Sequence, residues 1–129
     1  IIAKSFGGLV ELNPNGWELG AYSIELTDSG FKSSILSGFN NYDIVYESHE
    51  DYVAVLPENA VELALNNKGN QAFTIHGNIY GVQFHPEFSW DSIKKYVSVR
   101  SALGVIVDDP SVPKSNQGQL ALYNFIDLI

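Results

Sequence analysis

Two β-rich runs, Ala72-Phe73-Thr74-Ile75-His76 and Ile79-Tyr80-Gly81-Val82-Gln83-Phe84, flank the dipeptide Gly77-Asn78. Gly-Asn is a favoured two-residue hairpin loop, so the pair reads as two antiparallel strands with a set register. The second run ends in His85-Pro86-Glu87. Proline cannot donate to a sheet ladder and keeps the residue before it out of the helical region, so the strand must stop there and hand over to a loop. Period-two alternation puts Gln83 and His85 on one face of this strand and Val82 and Phe84 on the other.

The flanking sequence supplies further elements. Residues 1–6 read as the end of a helix stopped by Gly7-Gly8, and Leu9 to Leu12 as a short strand. Asn13-Pro14-Asn15-Gly16 is a dense turn signal before a strand over 17–27, in which Gly20 marks a bulge or a close backbone approach. Asp28 or Ser29 is positioned to cap a short helix over 31–37. Residues 42–49 form a clear strand, with Tyr42, Ile44, Tyr46 and Ser48 on one face and Val45 on the other, ending at His49. A strand over 52–56 stops at Pro57, residues 60–65 suit a strand or a short helix, and 66–70 form a turn. Ser89 caps a helix of about a dozen residues whose apolar stripe is Ile93, Tyr96 and Val97. A polar loop over 108–118 leads to a last helix from about Gln119, with Leu122, Phe125, Ile126 and Ile129 on one face. Strands with flanking helices indicate a mixed α/β sheet, with an α+β arrangement still open.

Composition removes several function classes. The formal net charge is −8, with only seven basic residues in 129, so no nucleic-acid partner and no polybasic membrane contact is expected. No apolar run reaches the length of a membrane span, and the opening Ile1-Ile2-Ala3 is no signal peptide, so the expected location is the cytoplasm. The absence of cysteine excludes disulfides, Cys-ligated metals and a thiol nucleophile from this chain. His49, His76 and His85 are too dispersed to form a metal site by spacing, and no cofactor is expected. The chain has no methionine, and IIAKSFGG reads as an element already under way, so the chain is expected to start inside a domain.

A histidine at the carboxyl end of a strand, with a carboxylate two residues on, has the form of the base and orienter of a nucleophilic triad. The carboxylate accepts from one ring nitrogen, and the other nitrogen can take a proton from a nucleophile. From H-x-E alone, a structural His85 and a solvated Glu87 are the preferred explanation, because such tripeptides are common by chance. The zinc-deaminase use of H-x-E requires downstream cysteines that do not exist here.

Residues 79–88, IYGVQFHPEF, resemble the closing motif of class I glutamine amidotransferase domains of the GMP synthase-like, triad type. Residues 1–20 resemble the segment that follows the nucleophile elbow of that family, with its Gly-Gly pair and G-x-E-x-G. IELTDSG at 24–30 is similar to its I-x-L-T-x-x-G, SHEDYVAVLP at 48–57 to its S-H-x-D-x-V-x-x-L-P, and NFIDLI at 124–129 to its final helix. The matches run in the family's order over nearly the whole chain, and this colinearity is more specific than any single motif.

The resemblance implies a flavodoxin-like three-layer α/β fold, of which residues 1–129 form the C-terminal part of one domain. It implies a glutaminase half-reaction through a Cys-His-Glu triad, with ammonia passed to an acceptor on a synthetase partner or domain. His85 would be the general base and Glu87 its orienter. Ser48, His49, Glu50 and Asp51 would form one wall of the glutamine pocket, partly through backbone; a strand-end turn that only fixes loop shape explains His49 and Asp51 as well. Gly16, Gly20 and Gly81 would be backbone-geometry positions, and Trp17 core. The family's G-x-C-x-G elbow and the strands before it are missing, so the chain by itself is expected to be inactive. An incomplete sheet would also expose an edge able to pair with another copy or chain. A non-catalytic assembly module, a γ-glutamyl hydrolase or peptidase, and an unrelated α/β binding protein are the competing readings.

Overall fold

In the computed structural model, which describes residues 1–129, the central hairpin forms one residue out of the expected phase. Its strands are β6 (Gly69–Ile75) and β7 (Ile79–Val82), paired with Ile75 opposite Ile79. The loop is therefore 76–78 rather than Gly77-Asn78. The chain reverses through positive φ at His76 (54°) and Gly77 (74°), the primed-turn geometry that matches strand twist. Regular pairing ends at Val82, and Gln83 adds one more bond, its N–H donating to Gln71 O at 2.9 Å. The chain then leaves the sheet. Phe84 turns into the core while Val82 stays exposed, so the expected shared face of those two residues is not formed.

The remaining strands are β1 (Leu9–Leu12), β2 (Glu18–Leu26), β3 (Asp43–His49), β4 (Asp51–Val55) and β5 (Ala60–Asn66). Residues 60–65, open to either reading, are thus strand. The order is β3-β2-β5-β6-β7 in one sheet, with β1-β4 as a separate pair. Every pair within the chain is antiparallel. β2 pairs with β3 along most of its length but meets β5 only at Glu25 and Leu26, so the sheet curls at that point. Helices flank it: α1 (Ile2–Ser5), α2 (Asp28–Lys32), α3 (Trp90–Ala102) and α4 (Gln117–Leu128). This is the expected α/β architecture, and none of the helices is long and apolar enough to cross a membrane.

The helix expected over 31–37 is two pieces, α2 and a 3-10 turn at Ser34–Leu36. Its cap is Thr27, not Asp28 or Ser29. Thr27 Oγ1 accepts from Gly30 N at 3.0 Å and donates to Glu62 O at 2.8 Å, so one side chain starts α2 and ties it to β5. Ser89 caps α3 as expected, accepting from Ser92 N at 3.2 Å. α3 buries Ile93 and Val97 against Leu19 of β2 and Tyr46 of β3, with Trp17 at the margin of this cluster. A larger core joins Ile24, Leu36, Val45, Leu63, Ala72 and Phe84. α4 docks on it through Ala121 and Leu120, and Asn124 Nδ2 donates to Ile35 O and Ser37 O. The stripe Leu122, Phe125, Ile126 and Ile129 instead faces outward, each at least 40% exposed.

The polar loop before α4 has a structural role. Val112 is buried at φ +43°, and its carbonyl accepts from Trp90 Nε1 at 2.8 Å. Ser115 N donates to Tyr46 Oη at 2.7 Å and Ser115 Oγ to Ile44 O at 2.7 Å, which pins the loop to β3.

Candidate active site

Past Phe84 the chain runs beside β3, and His85 N donates to Tyr46 O at 2.8 Å. This bond places His85 beside the middle of β3, at Tyr46, which precedes Ser48 by two residues. His85 Nδ1 lies 2.7 Å from Glu87 Oε1. Pro86 stiffens the intervening backbone, so a carboxylate two residues on reaches back to the ring. The imidazole is about one-third exposed and Glu87 more so. The Phe88 ring stacks on His85 with centroids 4.5 Å apart and planes 13° apart, which fixes the tilt of the imidazole. With Nδ1–H directed at the carboxylate, Nε2 keeps its lone pair and can accept a proton.

The residues of the expected pocket wall diverge. Ser48 points to Tyr96 of α3, whose ring packs 5.8 Å from Phe88. Arg100 Nη2 donates to Tyr96 Oη at 2.8 Å; this bond first, and Ser48 second, holds the phenol below its usual range. His49 and Asp51 line a cleft of about 400 Å³ with Gln83, Ile2, Val53 and Val82. Gln83 Nε2 donates to Asp51 O at 2.8 Å, tying the end of the hairpin to this wall. His85 and Glu87 lie outside that cleft's lining. Glu50 lines a different cleft, with Trp17, Lys68 and Asp108, while its carbonyl accepts from Asn13 N. Gly16 and Gly20 have positive φ, 75° and 120°, as backbone-geometry positions should. Gly81 is there for space: a Cβ would lie 2.3 Å from Cε1 of Phe73, its partner across the hairpin.

One polar cluster was not visible in the motifs. The His49 ring turns inward from the cleft, and its Nε2 lies 2.9 Å from Glu47 Oε2 and 3.2 Å from Glu18 Oε2. Both carboxylates are essentially inaccessible to solvent. Burial raises the Glu47 carboxyl to about 7, although His49 opposes the shift. Burial pulls the His49 pKa down, but the hydrogen bond to Glu47 and the charges of Glu47 and Glu18 outweigh it, so the net shift is upward. Glu18 is the acid of G-x-E-x-G, and Glu47 shares a strand face with His49; those were the available signals. Gln71, which completes the cluster, had none.

Fold and motif order agree with the comparisons to known proteins. Residues 1–100 match the family model for glutamine amidotransferase class-I. The chain is 37% identical over 91 residues to a subunit of the glutamine-hydrolyzing GMP synthase of Methanospirillum hungatei, covering 69% of this chain and 46% of that protein. It is 34% identical over 89 residues to the glutamine-hydrolyzing GMP synthase of a Synechococcus species, covering 67% of this chain and 16% of that protein. In three dimensions it resembles a glutamine amidotransferase of Thermotoga maritima, with a TM-score of 0.76 at 23% identity, over 98% of this chain and 56% of that one. It also resembles a glutamine amidotransferase of Methylobacillus flagellatus, with a TM-score of 0.73 at 19% identity, over 98% and 58% of the two chains. The chain belongs to the class I glutamine amidotransferase family. It spans about half of the Methanospirillum relative and of these solved structures, and 16% of the longer Synechococcus synthase.

Proposed function

We propose that this chain supplies the general base and its orienter for the glutaminase half-reaction of a class I amidotransferase, His85 as base and Glu87 as orienter. The observation that carries this reading is the 2.7 Å contact between His85 Nδ1 and Glu87 Oε1, at the end of the motif characteristic of the family. Glu87 holds the ring with Nε2 unprotonated and stabilises the imidazolium once Nε2 has taken a proton. The sequence contains no cysteine, so the nucleophile comes from a segment outside these residues. Residues 1–129 then form the C-terminal part of one domain. The outward-facing Leu122 and Phe125 of α4, which line one cleft with Val82 of the terminal strand β7, support a further packing partner on that side.

In this reading the thiol gives its proton to His85 Nε2 and the sulfur attacks the side-chain amide carbon of glutamine. The imidazolium returns the proton to the departing nitrogen, releasing ammonia and leaving a γ-glutamyl thioester. Water, deprotonated by His85 Nε2, attacks the thioester, and the imidazolium returns that proton to the departing sulfur, releasing glutamate and the thiol. Of the expected wall, His49 and Asp51 contribute to the pocket beside Gln83, whereas Ser48 is directed to Tyr96 and Glu50 lines a different cleft. His49 does so through its backbone, because its ring is engaged with Glu47 and Glu18. The ammonia acceptor is a synthetase partner.

A glutaminase assay on the chain extended upstream to include a G-x-C-x-G segment tests this. Activity should appear on extension and fall by about 10³-fold or more in His85→Ala. A folded, extended protein without activity would instead favour a domain kept for assembly, and activity on other γ-glutamyl compounds a hydrolase or peptidase.

A further inference from the structure

We propose that Glu18, Glu47 and His49 form a buried divalent-cation site, suited to Zn²⁺, independent of the glutaminase reading. β2 and β3 pair with Glu18 directly opposite His49, and Glu47 lies two residues before His49 on the same strand face. One ligand atom from each residue lies within 4.8 Å of the others, and His49 Nε2 faces Glu47 Oε2 and Glu18 Oε2.

The tautomer of His49 makes the arrangement informative. Its Nδ1 lies 2.9 Å from Asp51 O, and a carbonyl oxygen can only accept, so Nδ1 carries a proton. In the neutral ring Nε2 then presents a lone pair, directed at carboxylate oxygens 2.9 and 3.2 Å away. A proton on Nε2 or on Glu47 would neutralise part of this cluster, whereas a metal ion joins all three atoms at once. A zinc ion about 2.0–2.1 Å from each ligand in tetrahedral geometry separates neighbouring ligand atoms by about 3.3–3.4 Å. Of the two separations found, 3.2 Å is close to that value and 2.9 Å is shorter by about half an ångström, so binding would spread His49 and Glu47 slightly.

The surroundings match a metal site as well. Metal-bound histidines commonly donate their second ring N–H to a carbonyl or carboxylate, as His49 does to Asp51 O. Glu18 is oriented by two amides: Asn66 Nδ2 donates to Oε1 at 2.5 Å and Gln71 Nε2 to Oε2 at 2.9 Å. Asn66 Oδ1 accepts from Lys68 N and from Gln71 Nε2, which sets the orientation of the Asn66 amide. Two oxygens have no donor although they are fully buried, Glu47 Oε1 and Gln71 Oε1. Glu47 Oε1 belongs to a ligand carboxylate, and Gln71 Oε1 to an amide already in contact with Glu18. Glu47 Oε1 is a partnerless acceptor that a cation held by both oxygens of that carboxylate would satisfy. The ammonium of Lys68 does not offset the two carboxylates, since it is held by Trp17 O, Asn15 O and Asp108. A divalent ion would balance two carboxylates and a neutral imidazole. His49 borders the 400 Å³ cleft, which gives the ion a route in.

The test is calorimetric titration of Zn²⁺ into the full chain after chelator treatment and dialysis. One equivalent should bind, and the unfolding midpoint should rise by on the order of 10 °C at about a hundredfold excess over Kd. Glu47→Gln and Glu18→Gln, nearly isosteric, should each weaken binding at least about tenfold, whereas His85→Ala should leave it intact. X-ray absorption of the zinc-loaded wild type should show a single imidazole with oxygens at about 2.0–2.2 Å, a readout that needs no variant to fold. Absence of stoichiometric binding, two imidazoles in the first shell, or binding lost in His85→Ala but kept in Glu47→Gln would each overturn the proposal.

Discussion

Gly30→Ala should unfold this protein more readily, although alanine is the better helix former. Gly30 lies inside α2, where exchanging glycine for alanine ordinarily gains about 1 kcal/mol. Here a Cβ would sit 1.9 Å from the carbonyl oxygen of Leu63 and 3.0 Å from its carbonyl carbon, against an ordinary contact of 3.4 Å or more. The obstacle is β5 backbone, which cannot rotate away as a side chain can. Relief requires α2 to lift from β5, and α2 is tied there by Thr27, whose N–H donates to Leu63 O at 3.0 Å and whose hydroxyl donates to Glu62 O at 2.8 Å. Overpacking costs about 1–3 kcal/mol and sometimes more, and each weakened hydrogen bond about 1 kcal/mol. After the propensity gain the net loss is about 3 kcal/mol. With an m-value of about 1.5–2 kcal/mol per molar urea, the midpoint should fall by about 1.5–2 M. Equilibrium urea unfolding followed by far-UV circular dichroism measures this directly. A midpoint unchanged or raised, at unchanged m, would refute the reading of Gly30 as a contact-limited position.

Gly81→Ala should also destabilise, by about 1–3 kcal/mol, because its Cβ would meet the buried Phe73 ring; adding Phe73→Leu should recover part of the loss, readable in the same unfolding assay. Thr27→Ala removes the α2 cap and its tie to Glu62 O and should cost about 1–2 kcal/mol, whereas a change below about 0.3 kcal/mol would show that the cap is redundant. Burial, then the hydrogen bond to Asp108, holds the Tyr22 phenol well above its usual range. The folded chain therefore keeps this proton after the unfolded chain loses its own near pH 10, so the contribution is complete below about pH 10 and fades as pH rises through the native value. Tyr22→Phe should flatten that part of the alkaline stability profile, and an unchanged slope would count against it. In the upstream-extended protein, Glu87→Gln should lower kcat by about 10²–10⁴-fold with KM little changed; equal activity would mean that Glu87 does not orient the base.

What could be read from the sequence was local. His85, Pro86 and Glu87 are adjacent, so a rigid proline and a carboxylate within reach of the ring need no distant partner, although the bond from His85 N to Tyr46 O that places the segment beside β3 does. The strands read over 9–12, 42–49 and 52–56, each formed to within a residue at either end, and the Ser89 cap likewise follow from short-range pattern, and motif order carried the family. Even the hairpin was legible apart from its phase, which depends on where two consecutive residues tolerate positive φ. Non-local pairing was beyond reach of the pattern. Thr27 rather than Asp28 caps α2 because β5 lies where its hydroxyl can donate, some 35 residues away in sequence. Gly30 is required by the carbonyl of Leu63, not by its own backbone conformation. The apolar stripe of α4 predicts an amphipathic helix but not which way it faces; Asn124, bonded to Ile35 O and Ser37 O, turns that stripe outward. Glu18, Glu47 and His49 meet because β2 pairs with β3 in the register that sets Glu18 opposite His49, and Gln71 is brought to them from β6, on the other side of β5. Sequence spacing encodes which face of its own element a residue occupies, whereas burial and charge depend on what the other elements bring against that face, and that is decided by the tertiary structure.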